Sequence, residues 1–314
     1  MVAQDARETN RDTAPKDAAA LGARRARAIG ALLVLVSAVA FSAKAVIAKL
    51  AYRYAIDPIA LLTLRMAFSL PFFALVAVLA GRRAAVGVSR SDLLRIVVLG
   101  ILGYYLASVF DFMGLLYISA GLERLILFVY PTLVLLISAV FLKKRVERYQ
   151  LWALGLSYAG IALVAHAEAG TFGANVPIGA ALVFACALSY AAYLVGSGEL
   201  IPRLGSLRFT ALAMLVSSLA IFAHFALTGG RLSGYPLEVY ALGLALALIC
   251  TVLPVFMLAE GIRRIGSPSA SILGTVGPVS TIVLAHFLLG EAVSARQVAG
   301  TALVLVGATL VARA

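Results

Sequence analysis

Residues 237–259 read LEVYALGLALALICTVLPVFMLA, and their one charge is Glu238 at the second position. A run of about 18 or more apolar residues can cross a bilayer as a helix. Its backbone hydrogen bonds are then all made internally, as hydrocarbon demands. The rest of the chain reads the same way. Of 314 residues, 63% are hydrophobic and 13% charged, where an average soluble domain is roughly 25% charged. Ten apolar segments follow one another at about 30–52, 58–80, 96–118, 121–141, 149–167, 177–198, 209–228, 237–259, 267–289 and 296–312. The links between them are too short for a second soluble domain. The expected fold class is an all-α integral membrane protein with ten transmembrane helices.

The segments form two sets. An offset of 147 aligns Gly114 with Gly261 and runs without a gap to Ala165 and Ala312. Within it Ile118/Ile265, Pro131/Pro278, Leu142/Leu289, Val146/Val293, Gln150/Gln297 and Gly160/Gly307 coincide. An offset of 149 pairs Gly30-Ala31 with Gly179-Ala180 and Leu33-Val34 with Leu182-Val183. Two five-helix halves, 28–167 and 177–312, are therefore expected after a disordered polar tail at 1–27. Five is odd, so the second half enters the membrane inverted. That 5+5 inverted repeat is the architecture of secondary transporters, which bind substrate near the midplane between repeats.

The net charge of +12 does not point to nucleic acid, because the basic residues lie in short pieces between apolar segments rather than on one solvated face. They set topology instead. Nineteen, including Arg24, Arg25, Arg27, Arg82, Arg83, Lys143, Lys144, Arg145, Arg203, Arg263 and Arg313, fall on the side of the N-terminus; Arg53, Arg124, Arg231 and Arg296 fall opposite. Both termini are expected in the cytoplasm, with the protein in a bacterial inner membrane. Cys186 and Cys250 read as small core residues, and His166, His224 and His286 lack metal-ligand spacing. No metal and no cofactor is expected, and no G-x-x-x-x-G-K-[ST] loop is present to hold ATP.

Residues 116–125, LYISAGLERL, running on to Tyr130-Pro131-Thr132, together with Gly266-Ser267-Pro268-Ser269-Ala270, Gly277-Pro278-Val279 and Leu289-Gly290-Glu291, resemble the repeats of EamA-type transporters in the drug/metabolite transporter superfamily. The resemblance spans nearly all of 28–312. It implies ten helices, a 5+5 inverted repeat, a central cavity lined by spans 1, 3, 4, 6, 8 and 9, and export of a small metabolite such as an amino acid. Lys144 stands where the family has an acidic residue, while its counterpart Glu291 is retained. Glu291 is read as structural or loop-capping.

Charges inside spans cost about 2.5–3.5 kcal/mol each on insertion scales, so Lys44, Arg65 and Asp111 stand out. At 1.5 Å per residue, Lys44 and Asp111 lie roughly 21–22 Å from the cytoplasmic edge and Arg65 roughly 12 Å below the outer one. All three can meet. Lys44 with Asp111 is expected to face the central cavity, binding a charged substrate group or exchanging a proton, and Arg65 with Asp111 to form a structural ion pair. Tyr104, Ser108, Tyr130, Tyr190, Tyr193, Thr251 and Thr275 supply the polar and aromatic groups of a binding site for an amphipathic metabolite. Pro131 and Pro278, at matching repeat positions, should kink spans 4 and 9 by displacing the carbonyls of Leu127 and Gly274, and are candidate gating hinges. Lys49 should snorkel to the interface. The partners expected are a small-molecule substrate, the lipid bilayer and protons, for a monomer or homodimer. The rival readings are a membrane-embedded lipid-modifying enzyme, for which no convincing acid or nucleophile cluster is visible, and a flippase of a lipid-linked carrier.

Overall fold

A computed structural model describes the chain except residues 1, 83, 85, 143–147, 199, 266–272, 275 and 313–314. Thr275, the Gly266–Ala270 stretch and the topology charges Arg83, Lys143, Lys144, Arg145 and Arg313 lie outside the described residues. The described chain is helical throughout its ordered elements. In chain order these are α1 (Val2–Tyr52), α2 (Pro58–Arg82), α3 (Arg90–Gly114), α4 (Ala120–Leu127), α5 (Tyr130–Leu142), α6 (Arg148–Phe172), α7 (Val176–Ser197), α8 (Leu200–Leu204), α9 (Ser206–Leu227), α10 (237–265), α11 (Val276–Leu289) and α12 (Ala295–Ala312). The tail at 2–27, expected to be disordered, continues backward from the first span as helix, consistent with its alanine-rich sequence.

Among the described residues, seven helical stretches are long and apolar enough to cross a membrane: Arg24–Tyr52, Pro58–Arg82, Arg90–Gly114, Ala120–Val140, Val176–Ser197, Ser206–Leu227 and Leu237–Ile262. Three of the ten expected spans meet the apolar but not the length criterion, as Gly155–Ala167, Val276–Leu289 and Ala295–Gly307. The result is an all-α, multi-pass helical bundle. Its outward side chains are large and apolar, with Trp152, Phe287, Leu227 and Leu237 each more than 70% exposed. That surface suits lipid.

Two glycine crossings hold the bundle together, and the sequence offsets relate them. At one end α1 crosses α10: a Cβ on Gly261 would stand 2.5 Å from Val34 Cγ2 and 3.0 Å from Gly30 O. At the other, α3 crosses α7: a Cβ on Gly114 would stand 2.5 Å from Val183 Cγ2 and 3.0 Å from Gly179 O. Gly30/Gly179 and Val34/Val183 differ by 149, and Gly114/Gly261 by 147. A third close approach joins α6 to α12, where a Cβ on Gly160 would lie 2.5 Å from Gly300 O. Gly155, also expected to admit a close neighbour, has nothing within 4 Å of its would-be Cβ.

Two interruptions in the helices are also related by 147. α3 contains a π-helical segment at Ile101–Leu106 and α10 another at Leu248–Val252. Such segments arise where a side chain or a missing donor loosens the i→i−4 ladder. In α10 the Thr251 hydroxyl donates to Leu246 O at 2.8 Å, and Pro254 cannot donate to Cys250 O. In α3 the Ser189 hydroxyl of α7 donates to Leu102 O at 2.7 Å. Span 4, expected to kink at Pro131, is interrupted at Phe128–Val129 between α4 and α5, since Pro131 has no amide to continue the ladder back to Leu127.

Because Gly160 has no room for a side chain and Gly155 has, Gly160→Val should separate α6 from α12 and cost about 1–3 kcal/mol of overpacking. Thermal unfolding in detergent should show a lowered midpoint for Gly160→Val and an almost unchanged one for Gly155→Val.

Candidate functional site

The site is built on α1, α3 and α4. Lys44 lies on the inward face of α1, and its ammonium makes a short ion-paired hydrogen bond to Asp111 Oδ2 of α3. The expected pair forms. The same ammonium is 3.2 Å from Glu123 Oε1 of α4, though not aligned to donate to it. Glu123 is wholly buried and Asp111 is 2% exposed. Asp111 Oδ1 and both Glu123 oxygens accept no hydrogen bond, so one cation serves two acids.

α4 is brought to Lys44 by its own N-terminus and by the second half of the chain. Ser119 caps it, accepting from Leu122 N at 2.9 Å. Glu291, in the turn after α11, accepts from Ala120 N at 3.2 Å and lies 3.7 Å from Lys49 Nζ. The loop-capping role expected for Glu291 fits this contact, because a carboxylate complements the free amides at a helix start. Lys49 does not snorkel outward as expected: its ammonium donates to Ile118 O at 2.6 Å, where an unsatisfied carbonyl would otherwise be buried. Arg124, counted above among the loop charges, turns inward and donates to Phe41 O at 2.7 Å and to Thr281 Oγ1 at 3.2 Å.

Arg65 does not form the ion pair with Asp111 that the depth estimate suggested. Its guanidinium donates to Ser108 Oγ at 2.8 Å and lies 5.1 Å from the Phe112 ring centroid, a cation–π contact. Lys44 reaches Asp111 from the facing helix and takes the position. Ser108 therefore belongs with Arg65, and Arg65 Nε has no acceptor.

The tyrosines gather one to two turns away along α3, α5 and α7. Tyr104 and Tyr193 meet edge to face with their hydroxyls 3.1 Å apart. Tyr130 meets Tyr190 edge to face at 5.6 Å, and Tyr190 stacks on Tyr193 at 5.7 Å. Tyr104 is in the first π segment, and Gly103 beside it makes way for the Tyr193 ring, 2.3 Å from where a Cβ would be. Thr251 occupies the equivalent place in the second π segment, but its hydroxyl is spent on its own helix. Pro131 follows the α4/α5 break directly. Pro278 is buried within the first three residues of α11, beside Gly277, whose carbonyl accepts from the Ser42 hydroxyl at 2.8 Å.

Sequence reasoning missed Glu123 and Arg124. Both were visible as adjacent charges just inside an apolar segment, a placement that costs free energy unless partners wait within the bundle.

The protein-family model described as the EamA-like transporter family matches the chain twice, at residues 28–165 and 177–313. An uncharacterized transporter of Bacillus subtilis, YcbK, is 30% identical over 88% of this chain and 90% of its own length. An uncharacterized transporter of Archaeoglobus fulgidus is 27% identical over 82% of this chain and 90% of its own. A solved crystal structure shares the fold with a TM-score of 0.62 at 20% identity, covering 90% of this chain and 95% of that one. With both halves matched and a relative aligned along most of its length, the chain belongs to the EamA-like transporter family.

Proposed function

We propose that this transporter is a secondary exporter of a small metabolite, such as an amino acid or a related compound. It works by alternating access between two five-helix halves, ten helices in all, with both termini in the cytoplasm of a bacterial inner membrane. The observation that carries the reading is the buried Lys44–Asp111 pair. A charged couple inside an apolar bundle costs free energy that a purely structural contact could avoid with apolar side chains. Its position beside an aromatic group of four tyrosines supplies what an amphipathic solute needs: a charge to meet its ionic end and rings to meet its body.

The inverted-repeat reading draws support from the two family matches and from the glycine crossings. The crossings join the first helix of one half to the third of the other, once at each end of the bundle. Gly30 and Lys49 are about 28 Å apart along α1 at 1.5 Å per residue, so the ends are separated by nearly a membrane thickness. Lys44, Asp111, Tyr104, Ser108, Tyr130, Tyr190 and Tyr193 are the proposed substrate contacts, while the Thr251 hydroxyl is held by Leu246 O. Pro131 and Pro278 are the proposed gating points. Transport is driven by protons, exchange or the substrate's own gradient.

Metabolites released by cells expressing the protein should include one compound class that falls by about tenfold or more with Asp111→Asn at equal membrane levels. Equal release by both would sink the proposed role of Asp111, and release of lipid-linked material alone would favour a flippase. Pro131→Ala, which restores an amide at the α4/α5 break, should slow turnover severalfold in vesicles while half-saturation changes little. An unchanged turnover would remove Pro131 from gating.

A further inference from the structure

Glu123 has no assigned task in the reading above. It is wholly buried, its two oxygens accept no hydrogen bond, and it shares the ammonium of Lys44 with Asp111. Both carboxyl groups lie against the one Lys44 ammonium, which sets them side by side. We propose that Asp111 and Glu123 form a two-carboxylate proton site whose counter-charge alternates between the Lys44 ammonium and one bound proton. The proposal rests on the transport reading, and it names the residues at which a proton is exchanged.

The groups around the pair say which cation can leave. Arg124, 3.9 Å from Glu123 Oε2, is tied by its guanidinium to Phe41 O of α1 and Thr281 of α11. Arg65 on α2 is bonded to Ser108. Tyr52 on α1 donates to Phe112 O at 2.7 Å. Cys186 on α7 and Cys250 on α10 are buried nearby as free thiols. Lys44 differs from both arginines: its hydrogen bond goes to Asp111, and its long stem lets the ammonium swing without moving α1. When Lys44 turns to an incoming anionic group, two adjacent carboxylates are left with Arg124 alone facing them. Like charges so close in an apolar interior are not both held ionised. A proton from water on the open side then binds between Asp111 and Glu123, and it leaves when Lys44 returns. Both states keep the number of buried charges balanced, so substrate and proton move together, outward down the substrate's own gradient.

The test is infrared spectroscopy of the full chain in liposomes during acid titration, following the protonated-carboxyl stretch. The spectrum of the unaltered protein minus that of Glu123→Gln should isolate one protonated carboxyl per chain, and Asp111→Asn should shift its frequency. Lys44→Gln should bring the band out at a higher pH, whereas Lys44→Arg should leave it where it is. If Lys44→Gln does not fold, the unaltered and Glu123→Gln spectra still decide. No band assignable to Glu123, or one indifferent to Asp111→Asn, would overturn the proposal. The spectra need no substrate, so their failure is separate from a failure of Asp111→Asn to affect metabolite release.

Discussion

Everything in this bundle depends on backbones approaching at glycine. In lipid there is no hydrophobic drive between helices, so association rests on close packing and on the few polar contacts that close packing permits. Gly30 against Gly261 and Gly114 against Gly179 allow α1 to lie on α10 and α3 on α7 with no side chain between. Those crossings fix where α1 and α3 can be, and hence that Lys44 and Asp111 face each other. A valine at either crossing would act on the ion pair as much as on the packing.

The second constraint is that charge in an apolar interior must be neutralised locally. Lys44 and Arg124 balance Asp111 and Glu123 within one small group, and every cation in it has an oxygen from a neighbouring element. Glu291 and Lys49 repeat the arrangement where α4 begins, with the carboxylate on a helix N-terminus and the ammonium on a carbonyl. These contacts join the first half of the chain to the turn after α11 in the second. The same residues that satisfy buried polar groups therefore couple the halves.

How much of this was legible depended on the kind of signal. Apolar runs specify membrane helices directly, and the register of Gly114 with Gly261 pairs two glycines that each lie at a close helix crossing. The Lys44–Asp111 contact followed from counting rise along two helices. Arg65 failed by the same method because depth says nothing about azimuth: it lies near the right height but turns to Ser108 and Phe112. Glu123 and Arg124 lay inside the expected span at 121–141, but so near its start that they read as flanking charges rather than buried ones. In the structure the helix begins at Ala120, and its fourth and fifth residues, Glu123 and Arg124, turn inward. The break at Phe128 was partly legible, since Pro131 announced a disturbed ladder without saying whether it would bend or part.

The repeat carries an asymmetry that bears on mechanism. The π segments at 101–106 and 248–252 are equivalent in register, yet one presents Tyr104 to Tyr193 and the other closes Thr251 onto its own Leu246 carbonyl. Likewise Asp111 and Glu123 sit in the first half, where the offset of 147 pairs them with Leu258 and Ala270 in the second. The backbone scaffold is duplicated and the chemistry is not. On the alternating-access reading proposed here, a two-fold frame supplies two related conformations of nearly equal cost, because each rearrangement in one half has its counterpart in the other. On that same reading the choice between them falls to groups that only one half possesses, and the proposed ones are the acids that share Lys44. A few kcal/mol of differential interaction is enough to move such an equilibrium across its midpoint, which is within the reach of one buried ion pair.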